Sequence, residues 1–232
     1  MTLTTVTEPT YGFSDLTRLM SLMTGDEKHS FAATSTLDVI WTLYDTVLNT
    51  DPQRTSDPER DRFILSKGHG PMAYYAVLAA KGFISTDLLA GFATYGSPLG
   101  HHPDATLIPG VEVGSGSLGH GLPIAVGLAL GLRVQTNPAR TYCLLGDGEL
   151  DEGSNHEAIA IAGRQQLDSL TAIVIDNQSA SQGWPGGIQS RFAVEGWASQ
   201  RVNGRNHEAI ATALQAPHPD RPLVVIAQVE GK

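Results

Sequence analysis

Asp147 and Asn177 are the residues whose types and spacing could do chemistry. Asp147 stands in a Gly-Asp-Gly turn directly after the apolar run 142–145. Asn177 follows Asp176 at the end of a second apolar run, 171–175, and lies 30 residues further along the chain. That spacing matches one strand–helix–strand unit. In such a unit the strands run parallel, so both side chains emerge at the same edge of the sheet, where open α/β sheets bind ligands. A carboxylate and an amide oxygen are hard ligands, suited to Mg2+ or Ca2+ holding a phosphate and poorly suited to zinc.

The elements that must position them can be read along the chain. Apolar residues at helical spacing predict a helix over 13–24, with Ser14 as its cap, and another over 36–48. A short strand over 63–65 runs into Ser66-Lys67-Gly68-His69-Gly70, and a helix starts near Pro71. Beyond the central pair of strands, residues 183–187 read as a glycine-rich loop, 188–197 as a helix and 200–202 as a short strand. A helix over 207–214 and a final apolar strand over 222–229 complete the chain. Strands alternating with helices predict an α/β fold: a single doubly wound, mainly parallel sheet with helices on both faces, forming one domain across 1–232.

Glycines and histidines add a second layer. Residues 114–119 (GSGSLG) match G-x-G-x-x-G and open a helix, which permits a dinucleotide-binding reading. However, the first acidic strand end, Asp147, comes 28 residues after the third glycine, where the dinucleotide pattern asks for about 20. The alternative is that these glycines only let the helix pack closely on the sheet. His69 between two glycines is left unshielded at a strand end, whereas His29 and His102 lie in loops.

Composition narrows the classes. At 41% hydrophobic and 17% charged the chain is an ordinary globular protein, and its net charge of −9 with no basic patch argues against nucleic acid. The single cysteine, Cys143, sits in a central apolar run. That excludes a disulfide framework and favours a reducing compartment. The polar N-terminus does not read as a signal peptide, and no apolar stretch reads as a membrane span, so the expected location is cytoplasmic.

With the Gly-Asp-Gly turn and the closing Asn laid out, the chain resembles the thiamine-diphosphate-binding, N-terminal section of transketolases. Four further blocks resemble that family in order: 62–70 (RFILSKGHG), 100–112 (GHHPDATLIPGVE), 114–127 (GSGSLGHGLPIAVG) and 202–210 (VNGRNHEAI). The resemblance implies thiamine diphosphate and Mg2+ (or Ca2+) as cofactors. Asp147 and Asn177 would bind the metal, with the Ser179 carbonyl as a third ligand. His69, Gly116, Ser117, Leu118, Gly146, Gly148 and Glu149 would complete the cofactor site, in a neighbourhood offering little cationic charge of its own. His29, His69 and His102 would face the substrate as catalytic histidines, and Glu152 and Glu157 would lie near a subunit interface. Three departures from the family pattern are the residues around His29, which read KHSFA, His120 in place of a glutamine, and Arg205 in place of a histidine.

In this family the cofactor bridges two domains, and a pyrimidine-binding domain supplies an activating glutamate. No such domain fits into these residues. The expectation is therefore the N-terminal subunit of a split transketolase, transferring a two-carbon ketol unit from a sugar (phosphate) donor. Its partner would be a C-terminal transketolase subunit carrying the pyrimidine-binding domain, in an α2β2 heterotetramer, with no nucleic acid or membrane partner. Three other readings stand beside it. The first is an α-type subunit of another thiamine-diphosphate enzyme, of 2-oxo acid dehydrogenase type or transferring a glycolyl unit to a lipoyl or acyl carrier. The others are a nicotinamide dehydrogenase and a non-catalytic scaffold subunit.

Overall fold

The computed structural model describes residues 11–24 and 30–231. Five strands form one sheet: β1 (Arg62–Leu65), β2 (Thr141–Gly146), β3 (Leu170–Asp176), β4 (Ala198–Asn203) and β5 (Leu223–Gln228). Their order across the sheet is β1-β2-β3-β5-β4, and every pairing is parallel. Seven α-helices accompany them among the described residues: α1 (Leu16–Ser21), α2 (Ser30–Thr42), α3 (Met72–Ala80), α4 (Gly121–Val134), α5 (Gly153–Arg164), α6 (Gly187–Ala193) and α7 (His207–Leu214).

The strands are apolar on both sides because helices cover both sides. Phe63, Leu65, Tyr142, Leu144, Ile173, Ile175 and Val225 pack with α1, α2, α3 and α7 in one core. The intervening residues Ile64, Cys143, Leu145, Ala172, Val174 and Val224 point the other way, into a second core with α4, α5 and Phe192 of α6. Strand periodicity of two thus assigns alternate residues to two separate hydrophobic layers. Cys143 is fully buried, and that burial pushes its thiol pKa well up, so it is a core residue and no nucleophile. No helix among the described residues is long and apolar enough to cross a membrane.

Element types follow the sequence reading, and several boundaries differ for local reasons. The predicted helix over 13–24 opens as a 3-10 turn at Phe13–Asp15, and the Asp15 carboxylate, not Ser14, accepts the Gly12 amide at 3.0 Å. The helix predicted over 36–48 ends its α-helical part at Thr42 and continues as a π turn to Val47. The helix predicted over 188–197 stops at Ala193. Beyond it the chain turns through Gly196 at φ +85°, and Trp197 joins the second core against α5, where its indole donates to the Ile159 carbonyl at 2.9 Å.

Candidate functional site

β2 and β3 are direct neighbours, with Gly146 opposite Ile175, so the residues that follow each strand leave the sheet side by side. Asp147 is 2% exposed and Asn177 4%. The Asp147 carboxylate gathers the chain around it. Its Oδ1 accepts the Gly148 amide at 2.8 Å and the Ser179 hydroxyl at 2.5 Å, and its Oδ2 accepts the Ser179 and Ala180 amides at 2.7 and 3.2 Å. All four lone-pair positions of the carboxylate are thereby engaged by the chain. Asn177 is the opposite case: its Oδ1 is buried and has no hydrogen-bond partner. A buried amide oxygen left without a donor is costly unless something satisfies it. The third oxygen is close, since a methyl group on Gly148 would lie 3.4 Å from the Ser179 carbonyl.

One carboxylate, one amide oxygen and one carbonyl are the donor set of a hard, oxygen-seeking divalent cation that retains phosphate ligands. Among the described residues no group of three or more His, Cys, Asp or Glu side chains could hold a metal, so a site of the thiolate or imidazole type is not offered. The residues fit Mg2+ or Ca2+, provided that the Ser179 hydroxyl rotates away from Asp147.

Gly146, Gly148 and Glu149 continue this corner. The sequence suggests little positive charge nearby, yet the aliphatic stem of Lys67 lies about 3.4 Å from where a Gly146 side chain would begin. Glu149 turns its carboxylate inward, where Ser66, Gly119 and Gly146 donate to it. Burial pushes its pKa up, while those three bonds and the nearby Lys67 pull it down. This inward placement, and the role of Ser66, carry no sequence signal, because both depend on the 3-10 turn Gly148–Asp151.

The histidine pair forms the second corner. The rings of His69 and His102 lie 5.6 Å apart and tilted by 46°. His102 Nδ1 meets the Gly68 carbonyl at 3.2 Å. A carbonyl only accepts, so Nδ1 carries the proton and Nε2 is the basic nitrogen of the neutral ring. Gly116, at φ +126°, brings its backbone against this ring, since a side chain there would meet His102 Cγ at 3.2 Å. Ser117 and Leu118 are exposed on the same turn, and the Ser117 hydroxyl lies 2.9 Å from His120 Nδ1. A cavity of about 180 Å³ runs between the end of β1, this turn and the start of α4, lined by Ser66, Ser115, Ser117 and His120 among others. Ser115 Oγ is buried and without a partner, a feature of this corner that the sequence does not single out. A larger cavity of about 570 Å³ lies at the opposite edge of the sheet, around Asp61, Arg140, Asp168 and His218, remote from these groups.

His29 lies outside the described residues. Glu152 and Glu157 are exposed near and on α5. Arg205 ties Asp38 of α2 to Glu230 through bonds of 2.7 and 2.6 Å. Past Asn177 the chain is held by Asp151, which accepts from Ser181 and Gln182 at 3.2 and 3.3 Å. It then reaches Trp184, whose ring lies 4.8 Å from His156 and 5.0 Å from the Arg191 guanidinium. The dinucleotide reading of residues 114–119 fails on context. The fingerprint needs a strand directly before its glycines, and here the preceding strand, β1, ends at Leu65.

Comparison with known proteins bears on the family. The family model described as "Transketolase, thiamine diphosphate binding domain" matches residues 19–230. "Ferredoxin fas2" of Rhodococcoides fascians is 59% identical over 224 residues, covering 96% of this chain and 74% of that protein. An apulose-4-phosphate transketolase subunit of Actinobacillus succinogenes is 38% identical over 206 residues, covering 86% of this chain and 75% of that one. The solved transketolase of Campylobacter jejuni subsp. jejuni NCTC 11168 superposes with a TM-score of 0.76 at 26% identity. It takes in 94% of this chain, which spans only 38% of that enzyme.

Proposed function

The chain belongs to the transketolase family, matching its thiamine diphosphate-binding domain, and from that premise we propose that it is one subunit of a split transketolase. In this reading it binds Mg2+–thiamine diphosphate at the carboxyl edge of β2 and β3. Together with a second polypeptide carrying the pyrimidine-binding domain, it transfers a two-carbon ketol unit from a ketose phosphate to an aldehyde acceptor. The observation that carries the proposal is the buried, unpartnered Asn177 Oδ1 beside Asp147, an acceptor that a cation would satisfy. A relative named as a transketolase subunit, of which this chain covers 75%, supports the division of labour between two chains. The proposed assembly is an α2β2 heterotetramer in the cytoplasm, with the exposed Glu152 and Glu157 facing the partner.

Asp147, Asn177 and the Ser179 carbonyl would hold the metal, and Gly148 would let the backbone approach the diphosphate. Gly116, Ser117 and Leu118 would present backbone groups to the cofactor, with Lys67 as the nearby cation. When bound, thiamine diphosphate supplies the electron sink for carbon–carbon cleavage. The chain's own task is then to orient substrate hydroxyls and to move protons. His102 is arranged for this: Gly68 fixes its tautomer, Nε2 is left free to accept a proton, and His69 stands beside it. His29 would be the third histidine of this set.

A second reading has one observation in its favour, the 59% identical relative named as a ferredoxin. It makes the chain part of a thiamine-dependent enzyme of 2-oxo acid dehydrogenase type that passes electrons to a carrier. Iron–sulfur clusters are held by several cysteine thiolates, and the one cysteine here is buried in β2, so any cluster would belong to other residues. The test is reconstitution with a polypeptide bearing a pyrimidine-binding fold. Ketol transfer that requires both chains and thiamine diphosphate is expected. Reduction of an electron-accepting dye without ketol transfer would favour the second reading, and ketol transfer by this chain alone would sink the split assignment.

A further inference from the structure

Glu149 lies where three segments of the proposed cofactor site meet. It is 4% exposed. Its Oε1 accepts the Ser66 hydroxyl at 2.5 Å and the Gly119 amide at 3.0 Å, and its Oε2 accepts the Gly146 amide at 3.2 Å. The Ser66 hydroxyl, while donating to Glu149, accepts the Gly121 amide at 3.1 Å. Each donor belongs to a different segment. Ser66 follows β1 and leads to His69, Gly119 closes the turn that carries Gly116, Ser117 and Leu118, and Gly146 ends β2 one residue before Asp147.

We propose that Glu149 is a positioning residue that fixes the histidine segment, the 114–119 turn and the metal-binding end of β2 relative to one another, without itself touching cofactor or substrate. This assignment rests on the cofactor site proposed above. Two further observations support it. First, α4 has no side-chain cap of its own, His120 serving as N-cap without a capping bond. The Gly121 amide, the first of the helix, is one of the orphan donors that every helix start must satisfy, and Ser66 supplies its acceptor from elsewhere in the chain, as Glu149 does for the Gly119 amide just before the helix. Second, all the groups around the carboxylate are donors, so only an acceptor-only group fits. The brace also has no slack. A side chain on Gly121 would overlap Ser66 Cβ at 2.2 Å, and Asn155 pins the Glu149 carbonyl at 2.6 Å.

The Glu149→Gln variant keeps the length of the side chain but turns one of its oxygens into an NH2 group facing a donor. Hydrogen exchange on the full chain is expected to quicken about tenfold or more at the amides of Gly119, Gly121 and Gly146, with β3 and β5 at wild-type rates. In the enzyme reconstituted with its partner, the Kd for Mg2+–thiamine diphosphate is expected to rise about tenfold. Unchanged exchange at the three amides, uniform quickening through the whole sheet, or an unchanged Kd would each overturn the assignment. Should Glu149→Gln fail to fold, Ser66→Ala serves instead: exchange must quicken at Gly121 and not at Gly146, and a wild-type rate at Gly121 refutes the brace. A wild-type chain without cofactor affinity in the complex would refute the cofactor site itself, while the exchange pattern would still decide whether Glu149 braces these segments.

Discussion

Asp147 and Asn177 stand just past the ends of neighbouring strands in contrasting states, the carboxylate fully engaged and the amide oxygen unengaged. A cation arriving there gains Asn177 at no cost in lost bonds and must compete for Asp147. The Asp147→Ala variant removes the only full negative charge among the proposed metal ligands and also frees residues 179–180. We expect it to weaken Mg2+–thiamine diphosphate binding at least about a hundredfold, since even residues one step removed from a metal typically matter 10–100-fold. Titration calorimetry on the assembled enzyme that returned wild-type affinity would refute the metal assignment. Asp147 and Asn177 were legible in the sequence because the strand–helix–strand spacing alone places them together. Glu149 was legible as a cofactor-site residue but not as a brace. The direction of its side chain depends on a short 3-10 turn and on Ser66, 83 residues away, and neither is encoded in local periodicity.

At the scale of elements, the apolar runs and the alternation of strands with helices were enough to give the five strands and the two-faced sheet. It could not give the ends of α2 and α6, where a π turn and a glycine in the left-handed region end the α-helix before the apolar spacing does. The start of β2 and the turn before β5 are joined through His218, at the edge of the sheet opposite the proposed active site. Arg140 donates to its Nε2 at 2.6 Å, and its Nδ1–H donates to the Arg221 carbonyl at 2.7 Å. Burial, aided by the Arg140 charge, holds the His218 pKa below the ordinary 6.5. Between the folded and unfolded pKa values the unfolded chain therefore carries a proton that the folded chain lacks. Stability is full above the unfolded pKa and falls as pH drops through that window, by at most about 1.4 kcal/mol per pH unit. His218→Gln can keep an acceptor toward Arg140 and a donor toward Arg221 without titrating. Its melting temperature should decline less than that of wild type between pH 7 and 5, and parallel declines would contradict this account.

At the scale of the whole molecule, the residues proposed to hold the cofactor gather at one edge of one sheet in a chain that matches the thiamine diphosphate-binding domain of transketolases. The family was legible from five ordered blocks, because each block encodes a backbone turn or a ligand that cannot drift without losing the site. The identity of the sugar and of the partner was not, since nothing in these blocks reads either one. If a second polypeptide holds the pyrimidine end of the cofactor, affinity should depend on assembly. We expect Mg2+–thiamine diphosphate to bind the isolated chain at least about tenfold more weakly than the complex, because the lone chain makes only part of the contacts. Equal affinities by calorimetry would mean that this chain holds the whole cofactor. The engaged carboxylate of Asp147 also has an optical consequence. Seating a cation takes the Ser179 hydroxyl away from Asp147, and that segment leads on to Trp184, whose ring lies beside His156 and Arg191. The other two tryptophans, Trp41 and Trp197, are 6% and 3% exposed, each in a hydrophobic core. Trp184 thus follows the proposed metal-binding segment in the chain, and its emission is expected to change when the cation loads.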